Sequence, residues 1–328
     1  MKLKQKYTRF RAYQLKQPGS LFSYYDGSRF TLIEAFLAKD CISSLEEELK
    51  VCKVGKKGYI DCLHITSWDS DHCEKKSLEI ILNQLKPRKI ECPGYSPDSS
   101  KQNQLDCFNL IKSYYKKNKN SQPAVQVNPF WNKFISSLNI FTKWNYSNIV
   151  YNNPKTNAIV NDNSSLKLFR TGCFTILSLG DIDSKANKEF LLGLWTIENE
   201  VDVLLLAHHG ADNEVNKKDF FEVVKPTLVV CSSNYDNQFS HPRLNVSNTL
   251  SGLGIPVKTT KNGDVIIEST GDDKSNFSVL DLITNNTNQK GAKINYKSKR
   301  AKQHQKDLKK SEEDLIKALK AAVERGEL

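Results

Sequence analysis

Six histidines occur in the 328-residue chain, and four of them lie in polar clusters just after apolar runs or in the loop that follows one. The first cluster is Ser67-Trp68-Asp69-Ser70-Asp71-His72, after the run Tyr59 to Thr66. Asp69, Asp71 and His72 share a turn between a strand and a helix, so their side chains can converge. Carboxylate oxygen with imidazole nitrogen suits Zn, Mn or Fe rather than a thiolate site. An acidic turn that merely caps a helix has the same look. The second cluster is Gly180-Asp181, after Phe174 to Leu179, where an aspartate could equally be the N-cap of a helix near 185. The third is Ala207-His208-His209-Gly210, after Val201 to Leu206. Two adjacent histidines at the end of a buried strand cannot both enter a core, and burying an imidazole without a partner costs about 1–3 kcal/mol. The fourth is Ser240-His241-Pro242. His64, inside an apolar run, reads as a packed strand residue, and His304 as solvent-exposed. Trp68 can pack, or stack a base.

These clusters need strands to hold them. Residues 7–15 alternate as a first strand, and 21–25 with 29–35 form a hairpin closed at Asp26-Gly27. Helices are expected over 42–50 and 76–86, the latter with Leu78, Ile81, Leu82 and Leu85 on one face and stopped by Pro87. Residues 91–160 are irregular apart from a helix near 103–116, and read as an insertion. Strands follow at 165–169 and 174–179, a helix at 185–197, and a strand at 201–207. After them come a helix at 216–224, a strand at 227–232, a helix at 244–252, and strands at 256–260 and 264–268. A strand-rich start followed by alternating strands and helices points to a layered α/β protein. The expected organisation is one domain over 1–285 with the insertion at 91–160, then a basic linker and helix over 286–328. From Lys290 to Lys310 there are nine basic residues and one acid, Asp307. Ser311 and Asp314 form a capping-box-like start. Leu315, Ile316, Leu319, Ala322 and Val323 then make an apolar stripe suited to packing on the body or on a protein partner.

Hydrophobic residues make up 38% of the chain, which excludes a disordered polypeptide. Eight cysteines, none in a CxxC pair, read as reduced thiols. The longest apolar runs fall short of the roughly 18–20 residues that span a bilayer, and the basic start has no signal-peptide core. The expectation is a cytoplasmic protein with no membrane association. The net charge of +11 favours a polyanion such as nucleic acid, although a general richness in Lys and Asn can also produce it.

Taken in order, Ser67-Trp68-Asp69-Ser70-Asp71-His72, Asn163-Ser164-Ser165-Leu166, Gly180-Asp181, Ala207-His208-His209-Gly210 and Asn237-Gln238-Phe239-Ser240-His241-Pro242 form a specific series. In this series the chain resembles the metallo-β-lactamase superfamily, and within it the hydrolase domain of the ComEC-type DNA-uptake proteins. The resemblance covers roughly residues 9–270. It implies a four-layer αββα sandwich and a centre of divalent metal, Zn or Mn, on Asp69, Asp71, His72, Asp181 and His208. The family motif opens with a histidine where this chain has Ser67, and no histidine lies between His72 and His208. One metal position therefore keeps only Asp69 and the bridging Asp181. The other keeps Asp71, His72, Asp181 and His208. One metal is expected to bind firmly and a second weakly or not at all.

The activity implied is hydrolysis by metal-activated water, with phosphodiester cleavage, as by a nuclease, the leading substrate class. Asp71 would orient the nucleophile while ligating metal, and His209 or His241 would donate a hydrogen bond to the oxyanion or leaving group. Asn163 and Ser164 would contact a phosphate. Two other readings stay open: a catalytically impaired binding or regulatory module, and a hydrolase of a substrate other than nucleic acid.

Overall fold

The computed structural model describes residues 7–122, 124–128, 148–151, 160–234, 238–269, 276–282 and 290–299, with scattered positions of the tail between 302 and 317. Two sheets face one another. The first has nine strands in the order β15-β14-β13-β1-β2-β3-β4-β5-β6: β1 (Arg9–Ala12), β2 (Phe22–Tyr25), β3 (Phe30–Ile33), β4 (Cys62–His64), β5 (Lys89–Glu91), β6 (Gln126–Asn128), β13 (Val265–Ser269), β14 (Asn276–Leu282) and β15 (Lys290–Lys297). The second has six, in the order β12-β11-β10-β9-β8-β7: β7 (Ile149–Tyr151), β8 (Leu166–Phe169), β9 (Ile176–Ser178), β10 (Val203–Leu205), β11 (Leu228–Cys231) and β12 (Val257–Thr259).

Side-chain alternation along the strands divides the core into three. Phe10, Phe22 and Ile33 of the first sheet meet Ile176, Val203, Leu205, Leu228 and Val230 of the second in the interior. Their sequence neighbours point the other way: Leu32, Leu63 and Ile90 under one set of helices, and Leu177, Leu204 and Val229 under another. The central strands β9 to β11 are parallel and covered on both faces, which is why they read as unbroken apolar runs. The outer layer on the first sheet is α1 (Ile42–Val51), α2 (Lys75–Ile80, continued by a π turn over Ile81–Leu85) and α3 (Gln102–Asn118). On the second sheet it is α4 (Lys185–Leu192), α5 (Trp195–Glu200), α6 (Lys218–Val224) and α7 (Leu244–Gly252). The layers run helix, sheet, sheet, helix, so the αββα architecture implied by the resemblance is the one observed.

Three expectations differ from the structure. The helix expected over 185–197 is two, because Gly193 is a poor helix former and Leu194 is extended. The stretch from Lys290, read as linker, begins with a strand that pairs antiparallel with β14, so the first sheet runs past residue 285. Tyr296 of this strand stacks on Phe277 at 5.6 Å. The insertion is also less irregular than its composition suggests, since β6 and β7 add edge strands to the two sheets. Leu315, Leu319, Ala322 and Val323 of the expected tail stripe, with Ser311, lie outside the described residues. Those described between 302 and 317 are helical and exposed.

Candidate metal centre

Four loops meet between the two sheets, each leaving the C-terminal end of a strand, where layered α/β folds gather reactive groups. β4 leads to Asp71 and His72, β9 to Asp181, β10 to His208 and His209, and β11 to Ser232 and onward to His241. Two backbone features bring them close. Gly180 has φ +54°, and a Cβ there would lie 2.9 Å from Thr66 Cβ and 3.0 Å from Ser164 Cβ, so only glycine fits. His208 and His209 both adopt left-handed geometry, at φ 48° and 52°. That costs roughly 1–2 kcal/mol per residue, the kind of strain that folds hold at functional sites.

Asp71, His72, Asp181 and His209 each offer one ligand atom, and these atoms lie within 4.8 Å of one another. His72 Nε2 is 2.9 Å from Asp181 Oδ2 and 3.9 Å from Asp71 Oδ2, and His209 Nε2 is 3.5 Å from Asp71 Oδ2. Both Nε2 atoms are buried and face only these carboxylates, whereas both Nδ1 atoms are held from behind. His72 Nδ1 lies 3.2 Å from Glu34 Oε1, and Glu34 is itself fixed by the Thr66 hydroxyl (2.6 Å) and backbone N–H (3.0 Å). His209 Nδ1 lies 3.2 Å from the Ser232 carbonyl oxygen. Tying Nδ1 to a carboxylate or carbonyl and aiming Nε2 at a common point is how proteins orient metal-ligating imidazoles. Among the described residues, no lysine or arginine pairs with Asp71, Asp181 or Glu34. The donor set of imidazole nitrogen and carboxylate oxygen therefore fits a divalent cation.

Electrostatics follow from this excess of negative charge. Burial opposes a charge on His72, but Asp181, Asp71 and Glu34 outweigh it and hold its pKa well above the usual imidazole value. Burial likewise works against ionised Asp181, and His72 and His209 nevertheless hold that carboxyl well below the usual range. His241 behaves oppositely: burial and the imidazoles of His209 and His208 bring it down to about 4.

The other sequence-derived residues fall elsewhere. His208 lies outside the four-ligand set, with Nδ1 3.0 Å from Asp183 Oδ1. That carboxylate also accepts from Asn161 (3.0 Å) and Asn213 (2.6 Å). Asp69 accepts from Lys101 and Gln104, both at 3.0 Å. Asn163 and Ser164 are buried, and the Ser164 hydroxyl accepts from the Asp181 backbone N–H at 3.3 Å. Ser164 braces the Asp181 loop, and neither residue lines a pocket at the junction. Asn237 lies outside the described residues. His64 is buried in β4, and Trp68 is buried with its indole N–H on the Tyr95 carbonyl at 3.0 Å, so it packs and presents no face to a base. The cap of α4 is Ser184, whose hydroxyl accepts from the Asn187 backbone N–H at 3.3 Å, while Asp162 accepts from the backbone N–H groups of Asp183 and Ser184 just ahead of the helix, so Asp181 is not the cap. Glu34 and Asp183 were missed, although a lone acid in the run Phe30 to Phe36 and a second acid two residues after Asp181 are both visible signals.

A cavity of about 120 Å³ opens beside the ligands, lined by Asp71, His208, His209, His241, Phe239 and Ser232 among others. The exposed Phe239 ring stacks on His241 at 5.6 Å.

No protein-family model matches the chain. The competence protein ComA of Neisseria gonorrhoeae is 30% identical over 120 residues, 36% of this chain, and the match spans only 17% of that protein's length. Among solved structures, the metallo-β-lactamase fold protein YhfI from Bacillus subtilis aligns at TM-score 0.44 and 10% identity, covering 79% of this chain and 99% of that one. Igni18, a metallo hydrolase from the archaeon Ignicoccus hospitalis, aligns at 0.43 and 13%, covering 80% and 98%. Among the described residues no helix is long and apolar enough to cross a membrane.

Proposed function

We propose that the chain is a metal-dependent hydrolase of phosphodiesters, with nucleic acid as its substrate class. The observation that carries the reading is that the carboxylates of buried Asp181 and half-buried Asp71 and the buried Nε2 atoms of His72 and His209 lie within 4.8 Å of one another, with no lysine or arginine among the described residues paired to those carboxylates. Asp71, His72, Asp181 and His209 would hold the cation. Bound there, a divalent cation supplies a Lewis acid and lowers the pKa of water.

The surrounding residues do the rest. Glu34 and the Ser232 carbonyl keep the two ligating rings in one tautomer and orientation. Asp183 fixes Nδ1 of His208, which leaves Nε2 as the nitrogen available to the cavity that His208 lines. This pair acts as proton donor to the leaving oxygen. His241, whose ring lies 6.2 Å from that of His208 and lines the same cavity, donates a hydrogen bond to the developing oxyanion. The sequence assigned ligation to His208 and catalysis to His209; the proposed roles are exchanged, because the twin left-handed residues turn His209 towards Asp71. The net charge of +11 supports a polyanionic substrate.

The test is cleavage of end-labelled single- and double-stranded DNA and RNA with added Mn or Zn. Cleavage is expected to vanish in Asp181→Asn and His209→Ala, and to fall by about 10²–10⁴ in His208→Ala. Cleavage that survives chelation or Asp181→Asn overturns the proposal. A cation bound without cleavage of any of these substrates also overturns it, in favour of a binding module on the same fold.

A further inference from the structure

Asp69 shares its turn with Asp71 and His72, yet its carboxylate is already satisfied by the chain. Oδ1 accepts from Lys101 Nζ and Gln104 Nε2, each at 3.0 Å. Oδ2 accepts from the Ser67 hydroxyl at 3.2 Å, and that hydroxyl lies 3.3 Å from the Tyr95 hydroxyl. Tyr95, Lys101 and Gln104 all come from the stretch between β5 and the first turn of α3. Tyr95 is held in place by Trp68, whose backbone N–H donates to its hydroxyl at 3.3 Å. One short segment has therefore closed around a single carboxylate, bringing an ammonium with it.

We propose that Lys101 is a resident cation that occupies Asp69 and restricts the centre to one divalent ion, so that removing it opens a second cation site at Asp69. The inference rests on the four-ligand reading of Asp71, His72, Asp181 and His209. A carboxylate has two oxygens with a limited number of lone pairs, and here three donors use them. An arriving divalent ion must displace Lys101 against like charge and strip Gln104 from the same oxygen. The groups around the vacated place are oxygens, the Asp69 carboxylate and the hydroxyls of Ser67 and Tyr95, while the Gln104 amide oxygen stays on the Asp98 backbone N–H. With no imidazole or thiolate among them, the new site takes a hard cation such as Mn or Mg.

The experiment is a titration of the full chain with divalent manganese, followed by calorimetry and by the electron paramagnetic resonance signal of the free ion. Wild type is expected to bind one equivalent, Lys101→Ala and Lys101→Gln two, and Lys101→Ala/Asp69→Asn one again. Lys101→Arg, which keeps the charge, stays at one. The Lys101 side chain is about half exposed, so these variants retain the fold, and a thermal melt of each verifies it. Two equivalents in wild type overturn the proposal while leaving the four-ligand centre standing, as does one equivalent in both neutral variants. No binding in wild type overturns the four-ligand reading itself, and the proposal with it.

Discussion

His64 and His72 stand eight positions apart, both fully buried and both against a carboxylate, and the fold treats them in opposite ways. His64 Nδ1 lies 3.1 Å from Glu91 Oε2 and His72 Nδ1 lies 3.2 Å from Glu34 Oε1. Glu91 already has a cation, since Lys167 reaches across from the second sheet to 2.5 Å, and Lys89 pairs with its other oxygen at 2.7 Å. With Glu91 neutralised, burial dominates and the pKa of His64 is lowered. Around His72 the carboxylates of Asp181, Asp71 and Glu34 meet no lysine or arginine among the described residues, and its pKa is raised despite burial. Buried carboxylates need positive charge close by. Where the role is structural this chain supplies its own, as it also does with Arg11 on Asp264 and Arg170 on Glu200. At the junction of the four loops, among the described residues, the negative charge is left to imidazoles and to whatever cation binds there.

The comparison can be broken most forcefully at Lys167. Lys167→Met removes the built-in cation from a buried pair and is expected to destabilise the fold by about 3–5 kcal/mol in chemical denaturation. Pairing it with Glu91→Gln should recover most of that loss. A small effect of the single change would mean that Glu91 does not need the charge, and the contrast would lose its footing.

At the metal centre the matching change is Glu34→Gln, which keeps the size of the side chain but weakens its hold on His72 Nδ1. Cation affinity is expected to fall about 10- to 100-fold, read by competition with a chromogenic chelator. An unchanged affinity would leave Glu34 as a merely structural acid.

Acid should separate the two regions by sign. The folded pKa of His64 lies below its ordinary 6.5, so the unfolded chain takes up a proton that the fold refuses. Stability therefore declines as pH drops through 6.5, by up to about 1.4 kcal/mol per unit. Glu91, held well below 4.5, adds a further loss below that value. His72 in the cation-free protein is raised above 6.5, so its charge favours the fold at low pH and that contribution fades as pH rises through the folded value. A bound cation must displace its proton, so cation affinity should climb with pH. Affinity that is flat from pH 6 to 8 would contradict the role given to His72.

Much of this was legible in the sequence, because residue type and strand-end position identify a reactive loop without coordinates. D-x-D-H, Gly-Asp, His-His-Gly and His-Pro all fall at the junction of the sheets. Which histidine of the adjacent pair turns to the carboxylates was not legible, since it depends on two successive left-handed residues that no periodicity reports. That Asp69 is held by Lys101 is hidden for the same kind of reason, because the two lie 32 positions apart and Lys101 belongs to an insertion. Asn163 and Ser164 lie in the loop before β8, and only the packing of Gly180 against Ser164 shows that Ser164 backs the centre instead of facing the cavity. The strands β5, β6 and β7 span three residues each, too short to leave a period-two pattern.

The most direct test of a cation site left open by the chain is an anomalous diffraction experiment at the zinc edge, on crystals grown with zinc. The account predicts one strong peak bounded by His72 Nε2, His209 Nε2, Asp71 and Asp181, with Lys101 still on Asp69. A map with no peak there, or with its peak at Asp69 or between His208 and Asp183, would contradict it.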